Sequence, residues 1–179
     1  TVEHLLRYLD VTVKADLSHI NSLSRIAKEQ FMNLDATAVR NLELIKNMRD
    51  GSKRGTLLDV LDFTSTSMGA RKLRNWIECP LLDLSQIRSR QEAVGELLTN
   101  VQMRGNLQDK LKAIFDLERI VSRIEVGSAN ARDLVSLRSS LAVLPEIKSL
   151  LRYCNSKLLQ QLCEDVHLHQ ELFTTLLAA

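Results

Sequence analysis

Helix-breaking residues are scarce in this sequence, and that scarcity constrains the fold more than any other feature. The 179 residues include only two prolines and six glycines. An all-β domain needs a turn about every 8–12 residues, and such turns draw heavily on glycine and proline. Aromatic residues are only 4% of the chain, so leucine, isoleucine, valine and alanine must build the core. The sequence therefore predicts an all-α fold, with several helices in an orthogonal or bundle-like array.

Charge and cysteine content narrow the class of protein. The net charge of +2 is too small to favour nucleic-acid binding by the overall field alone. Cys79, Cys154 and Cys163 form no C-x-x-C pair, which argues against a disulfide framework and favours a reducing compartment. No apolar run approaches the roughly 18 residues that span a bilayer. Because an initiator methionine is missing, we expect a fragment of a larger cytoplasmic protein.

The first fifty residues are predicted to hold two helices with a less regular segment between them. Apolar residues recur at helical spacing over residues 1–13. Residues 19–34 lack that regularity and are expected to be extended, with at most a short strand. Asp35 then has the position of an N-cap for a helix over residues 36–48, with Leu42 on its inward face.

The stretch from Thr56 to Leu98 has the densest helix punctuation in the chain. Thr56 and Asp59 form T-x-x-D, a capping-box pattern that begins a short helix. A second helix must end before Pro80, because the residue that precedes a proline is disfavoured in helical conformation. Asp83 is the predicted N-cap of a third helix.

The second of these helices has two distinct faces. Leu73, Trp76 and Ile77 form an apolar stripe, so Trp76 is expected in the core. Arg71 and Arg74 lie together on another face, where they are weak candidates for contact with a nucleic-acid backbone. A solvated or salt-bridged face is the alternative interpretation of these two arginines.

The third helix is expected to bury one apolar face. Ile87, Val94, Leu97 and Leu98 recur on that face, and Arg90 falls among them. We expect Arg90 to extend its guanidinium to solvent or to pair with an interior carboxylate rather than to contact a ligand.

The second half of the chain also reads as helices with caps. A new apolar helical repeat begins after Asp116. The break that follows this helix contains Ser128, which is a candidate N-cap for the next one. The leucines from Leu134 to Leu144 alternate at steps of three and four, which predicts a seam along a neighbouring helix. Pro145 is expected to start or kink the next helix, and Ser156 to open the last leucine-rich run.

No motif for catalysis, metal binding or phosphate binding is present. GSKRGT at residues 51–56 lacks the spacing of a phosphate-binding loop. His167 and His169 are two residues apart and would point away from each other on a helix. The carboxylates of Asp116 and Glu118 sit at a helix start, where acidic side chains stabilise the helix dipole. We therefore predict no catalytic, cofactor or metal residue, and no enzymatic activity, for this chain.

Three blocks of sequence resemble the core, or lever, domain of the MutS family of DNA mismatch-repair proteins. They are DATAVRNLEL (residues 35–44), TLLDVLDFTSTSMGARKLRNWIECPLLDLSQIRSRQEAVGEL (residues 56–97) and DLERIVSRIEVGSANARDLVSLRSSLAVLPEI (residues 116–147). The order and spacing of the blocks match the family. The resemblance implies that residues 1–16 end the preceding connector domain. It implies that residues 17–179 form the first part of the lever domain, before the clamp insertion.

The resemblance also implies the setting of the chain. The parent protein would be a dimeric ATPase that uses ATP and Mg²⁺ and binds mismatched double-stranded DNA through other domains. It would have a MutL-type partner, no membrane association and a cytoplasmic location, at the nucleoid in a bacterium. The chain itself would have no cofactor and would link the ATPase domain to the connector and to the DNA-gripping clamp. A helical protein-interaction scaffold, or the core of a MutS-related protein outside mismatch repair, is the alternative.

The positions that match the family are expected to act in the fold and its junctions rather than as ligand residues. Those singled out are Asp35, Arg40, Trp76, Pro80, Arg90 and Asp116.

Overall fold

The computed structural model describes His4, Tyr8 and residues 30–178, and this part of the chain is built from helices. The only β-pairing among these residues is an isolated bridge between Phe31 and Leu81, so the all-α prediction is confirmed. His4 and Tyr8 are helical. The rest of the helix predicted over residues 1–13, and most of the segment 19–34, lie outside the described residues. The helix bounds are α1 Ala36–Asn41, α2 Leu57–Leu61, α3 Ser67–Glu78, α4 Leu84–Thr99, α5 Val101–Lys112, α6 Leu117–Glu125, α7 Ala131–Leu151, α8 Lys157–Asp165 and α9 Gln170–Ala178.

Side-chain caps begin the first three helices, and the caps at Asp35 and Thr56 are those that the sequence predicts. The Asp35 carboxylate accepts a hydrogen bond from the Ala38 amide, and Thr66 accepts one from Gly69 at the start of α3. Thr56 caps α2 by accepting from the Asp59 amide at 3.1 Å.

The predicted extension of α1 to residue 48 is wrong. The helix ends at Asn41, and Glu43 has a φ of 47°, in the left-handed region that stops helix propagation. The Glu43 carboxylate accepts a hydrogen bond from the Met48 amide and so closes the following loop. As a result Leu44 is buried and Leu42, expected to face inward, is exposed.

The first hydrophobic core, here called the N-terminal core, belongs to α1–α3. Leu44, Leu58 and Ile77 are its buried residues. Trp76 is not among them: 39% of its surface is exposed, so its predicted core position is wrong. One residue is about 100° of helix rotation, so Ile77 points into the core while Trp76 lies at its edge.

The helix α4 buries only part of the predicted apolar face, and it buries Ala93 in addition. Ala93 is buried and Leu97 packs beside it, whereas Val94 and Leu98 are 63% and 65% exposed. Both faces are apolar in the sequence, and periodicity alone does not decide which of them meets the neighbouring helices.

The 21-residue helix α7 joins two further cores. Its C-terminal half supplies Ile147 and Leu151 to the central core, which is formed by α4, α5, α7 and α8. Its N-terminal half supplies Leu137 and Leu141 to the C-terminal core, formed with α6 and α9. The predicted leucine seam of α7 is therefore confirmed in its central part.

Two details of α7 concern its proline and its N-cap. Pro145 lies inside the helix and neither starts a new one nor ends it. Its ring removes one backbone donor, but apolar contacts on both sides of the proline hold the helix together. Asn130, rather than Ser128, is the N-cap, in a reciprocal capping box with Asp133.

A carboxylate from α4 caps α8 across 60 residues of sequence. The Ser156 side chain makes no capping hydrogen bond. Instead, the Glu96 carboxylate accepts from the amides of Asn155 at 2.6 Å and Ser156 at 2.7 Å. These two backbone donors hold the pKa of Glu96 below its ordinary value of 4.5. Glu96 thus ties the start of α8 to α4 at the edge of the central core.

We expect Glu96→Gln to lower the free energy of unfolding by about 1 kcal/mol at pH 7, the usual size of a lost N-cap. The folded-state pKa of Glu96 is depressed, so its contribution is present above pH 4.5 and is lost as the pH falls below that value. Urea unfolding at pH 7 and at pH 3 measures the difference. Glu125→Gln, at an exposed position of α6, is the control and should change stability little.

Candidate functional site: a polar junction between two helical units

The described chain divides into two units that share no hydrophobic cluster. Residues 30–78 hold the N-terminal core, and residues 84–178 hold the central and C-terminal cores. Residues 79–83 connect them. An ion-pair cluster and a cation–π contact join the units, and they bring together four of the residues that the sequence singled out. We call this set of contacts, together with the connecting residues, the polar junction.

Arg71 makes the central contact of the polar junction. Its Nη1 and Nη2 donate to the two carboxylate oxygens of Asp116, each at 2.7 Å. Its Nε donates to Glu118 at 3.0 Å, and Nη2 also contacts that carboxylate. The planar fork of the guanidinium matches a carboxylate in this bidentate geometry, so the contact fixes direction as well as distance.

Asp116 both caps a helix and accepts the hydrogen bonds of Arg71. It is the N-cap of α6 and accepts from the Arg119 amide at 3.4 Å. The Arg71 hydrogen bonds lower the pKa of Asp116 to about 2, and the carboxylates of Asp116 and Glu118 raise the pKa of Arg71. Both groups are therefore fully charged at neutral pH, and α3 is connected to the first turn of α6.

The backbone just before Asp116 is anchored to α7. The fully buried Ser140 accepts a hydrogen bond from the Phe115 amide at 3.0 Å and donates to the Ser136 carbonyl at 2.9 Å. An unpaired buried amide would be costly, so this serine holds the loop in place. Arg71 is thereby connected, through two neighbouring residues, to the helix that joins the two larger cores.

A second contact of the polar junction lies on α4. The Arg90 guanidinium stands 3.9 Å from the centre of the Trp76 ring. An arginine over an indole face is a cation–π contact. Arg90 therefore contacts an aromatic ring of the other unit. The sequence predicted that it would extend to solvent or pair with an interior carboxylate instead.

The connecting segment has a second attachment. The Met32 amide donates to the Pro80 carbonyl at 2.8 Å, and the Leu82 amide donates to the Gln30 carbonyl at 3.2 Å. Asp83 then caps α4 by accepting from the Ser85 amide, as predicted. Pro80 follows the end of α3, also as predicted, so the turn between the units is defined on both sides.

Of the eight residues singled out from sequence, four meet in pairs, and Asp35, Arg40, Arg74 and Pro80 do not. Arg71 meets Asp116, and Trp76 meets Arg90. Asp35 caps the start of α1, and Arg40 lies on α1, where it lines an apolar pocket of about 670 Å³.

Other side chains depart from what the sequence alone suggested. Among the described residues, the ion-pair partner of Arg74 is Glu78 on its own helix, at 3.4 Å. Sequence reasoning assigned Glu118 to the helix dipole and missed its contact with Arg71. It also missed Ser140, for which no sequence signal exists.

The described residues offer no metal centre and no membrane span. They contain no group of three or more histidine, cysteine or acidic side chains placed to hold a metal ion. All three cysteines are free thiols, with Cys154 and Cys163 buried in the central core. None of the described helices is long and apolar enough to cross a membrane.

Comparison with known proteins gives a consistent result. The family model for MutS domain III matches residues 37–179. A DNA mismatch repair protein MutS from Symbiobacterium thermophilum is 48% identical over 88% of the chain. Its counterparts from Exiguobacterium sp. and Pelotomaculum thermopropionicum are 42% and 50% identical over 99% and 82% of the chain. The chain spans only 17–21% of the length of these relatives.

We expect Arg71→Gln to destabilise the chain at pH 7 more than Arg74→Gln, because Arg71 contacts carboxylates of the other unit whereas Arg74 contacts Glu78 on its own helix. The Asp116 pKa is depressed from 3.8 to about 2, so the Arg71 contribution is complete above pH 4 and is lost as the pH falls through 2. Chemical denaturation across this range should therefore show the gap between wild type and Arg71→Gln closing. A gap that stays constant with pH would contradict the assignment.

Arg90→Ala should expose the only tryptophan of the chain. We expect a red shift of Trp76 emission, stronger quenching by acrylamide and a stability loss of about 0.5–1 kcal/mol, the size of an exposed cation–π contact. Arg88→Ala, on the exposed side of the same helix, is the control. Unchanged quenching in Arg90→Ala would show that Arg90 does not cover the ring.

Proposed function

We infer a coupling role for this chain from its membership: it belongs to the MutS family and carries domain III of those DNA mismatch-repair proteins. In this proposal, the chain is a structural lever that transmits changes between the ATPase part and the DNA-gripping part of a longer polypeptide. It does so without binding ATP or reading the mismatch itself. The longer protein would be a dimeric ATPase that uses ATP and Mg²⁺, binds mismatched DNA and works with a MutL-type partner. Residues 1–16 would end its connector domain.

The observation that carries the proposal is the polar junction. A hydrophobic contact between the units would be non-directional, and the units could slide against each other. A bidentate arginine–carboxylate contact has a defined geometry and resists rotation of α3 against α6. Displacement of one unit would therefore reach α7 through Arg71, Asp116 and the loop held by Ser140.

The length of α7 suits the same role. Its 21 residues span about 31 Å, and both of its ends are fixed in hydrophobic cores. A packed helix of this length keeps its shape under a displacement at one end. Coupling between distant sites needs an element with two arrangements, and the polar junction is the place where we propose that such a change occurs.

The contacts of Arg71 favour this role over a direct DNA contact. All three of its nitrogen groups donate to carboxylates, so a phosphate would have to displace Asp116 and Glu118. Within the part of the chain that the structure describes, the side chain of Arg74 makes long hydrogen bonds, of 3.4 Å, to Glu78 on its own helix. We propose that any backbone contact by these two residues is secondary to the polar junction.

The isolated chain should bind neither ATP nor mismatched DNA in a selective way. Fluorescence anisotropy with matched and mismatched duplexes of equal length, and a titration with a fluorescent ATP analogue, measure this directly. We expect equal, salt-sensitive binding to both duplexes and no saturable nucleotide binding. Tight binding that prefers the mismatch would place the reading function within this chain and overturn the proposal.

In the longer protein, Arg71→Gln should separate the activities that the lever connects. We expect the basal ATPase rate and the affinity for matched DNA to stay within about twofold, while stimulation of the ATPase by mismatched DNA falls by about tenfold, the size of a coupling free energy of 1–3 kcal/mol. Arg74→Gln is the matched control. Equal loss of basal and stimulated rates in Arg71→Gln would show general destabilisation instead of lost coupling.

A further inference from the structure

Two imidazole rings, those of His167 and His169, lie side by side in the segment between α8 and α9. Their ring centres are 6.2 Å apart, and the ring planes are inclined at 69°. The helix α8 ends at Asp165 and α9 begins at Gln170, so neither histidine lies within a helix. Residues two apart diverge on a helix, but that geometry does not apply to these two side chains. We call them the histidine pair.

The spacing of the two rings suits a shared metal ion. An imidazole nitrogen binds Zn²⁺ at about 2.0–2.1 Å, which places the ion about 3.2 Å from the ring centre. Two rings that share an ion therefore have centres about 4.5 Å apart when the ligands are at a right angle, and about 6.4 Å apart when they are opposite. The observed 6.2 Å lies within this range. Both side chains are exposed, so rotation of the rings can direct one nitrogen of each toward the same ion.

The backbone of the segment is anchored on both sides of the histidine pair. Lys148 Nζ donates to the Val166 carbonyl at 2.6 Å, and the Val166 amide donates to the Leu162 carbonyl at the end of α8. On the other side, the His169 carbonyl accepts from the Phe173 amide at 2.9 Å. The Phe173 side chain packs in the C-terminal core. The two imidazoles are therefore held near each other before an ion binds, which lowers the entropic cost of binding.

The charges that flank the histidine pair in the sequence favour a cation. They are the carboxylates of Glu164, Asp165 and Glu171, and no lysine or arginine lies between them. Lys148 and Arg152 line a surface cavity together with Glu164 and offset its charge. The other two carboxylates form no ion pair between described residues, so their negative charge attracts a metal ion toward the pair.

We propose that His167 and His169 together bind one divalent transition-metal ion, each through one imidazole nitrogen. No third histidine, cysteine or carboxylate of the described residues joins them, so water fills the remaining positions and the ion exchanges freely. Nitrogen ligands suit Cu²⁺, Ni²⁺ and Zn²⁺, and Cu²⁺ is bound most tightly of these. Mg²⁺ prefers oxygen ligands and is excluded. This binding activity is separate from the proposed lever role, and either one stands if the other fails.

Calorimetric titration with Cu²⁺ tests the site, with Cys79→Ser as background to remove the most accessible described thiol. We expect His167→Asn and His169→Asn each to raise the dissociation constant at least about tenfold, because the second imidazole of a chelating pair binds at high effective concentration. His4→Asn, at an exposed histidine in a helix, is the matched control and should leave the constant unchanged. Millimolar Mg²⁺ should not compete. Single variants that bind Cu²⁺ as tightly as the background protein would exclude a shared site.

Electron paramagnetic resonance identifies the ligands of the bound Cu²⁺. At less than one ion per chain, we expect hyperfine splitting from two imidazole nitrogens in the background protein and from one in each single variant. Far-UV circular dichroism checks that each variant keeps its helices. A spectrum with one nitrogen ligand in the background protein, or one that does not change in His169→Asn, would show that the two rings do not share the ion.

Discussion

One helix, α7, has to fill two hydrophobic cores, and most of the fold follows from that requirement. Ile147 and Leu151 on one half and Leu137 and Leu141 on the other meet different sets of neighbours. A break at Pro145 would let the two cores move independently. The helix instead continues through the proline, because the contacts on both sides outweigh the one hydrogen bond that is lost. The helices α5, α6, α8 and α9 pack directly on α7, and α4 packs on α5 and α8. The position of each of these helices therefore depends on α7.

The N-terminal unit is attached to this frame in a different way. Its own core is small, with Leu44, Leu58 and Ile77 as the buried residues. The attachment consists of charged and aromatic side chains, chiefly Arg71 on Asp116 and Arg90 on Trp76. Such contacts are individually modest because solvent screens them, but they are specific in geometry. A structure that must keep two units oriented, and yet permit a change between them, is served better by these contacts than by a continuous core.

Local signals in the sequence were enough to place most helix starts. Asp35, Thr56, Asp83 and Asp116 cap the helices that follow them, because a short acceptor side chain before an apolar repeat has one common use. The predictions that were wrong concern features that depend on contacts beyond the local sequence. The buried face of α4 and the exposure of Trp76 follow from how helices meet, and the early end of α1 follows from a loop closed by Glu43. The family resemblance singled out Trp76, Arg90 and Asp116, but it did not predict which of these residues contact each other. No local sequence pattern shows that Arg71 would contact Asp116, which is 45 positions away.

The cap of α8 by Glu96 has a consequence for the order in which the domain becomes structured. A helix with its own capping side chain can start as soon as its residues are available, whereas α8 takes its acceptor from α4, 60 positions earlier. Its nine residues are too few to persist as an isolated helix in water. The first turn of α8 should therefore gain protection from hydrogen exchange only when α4 has docked, as part of the same cooperative unit. The long loop between Glu96 and Ser156 therefore closes as part of the formation of the central core, and not within α8 itself.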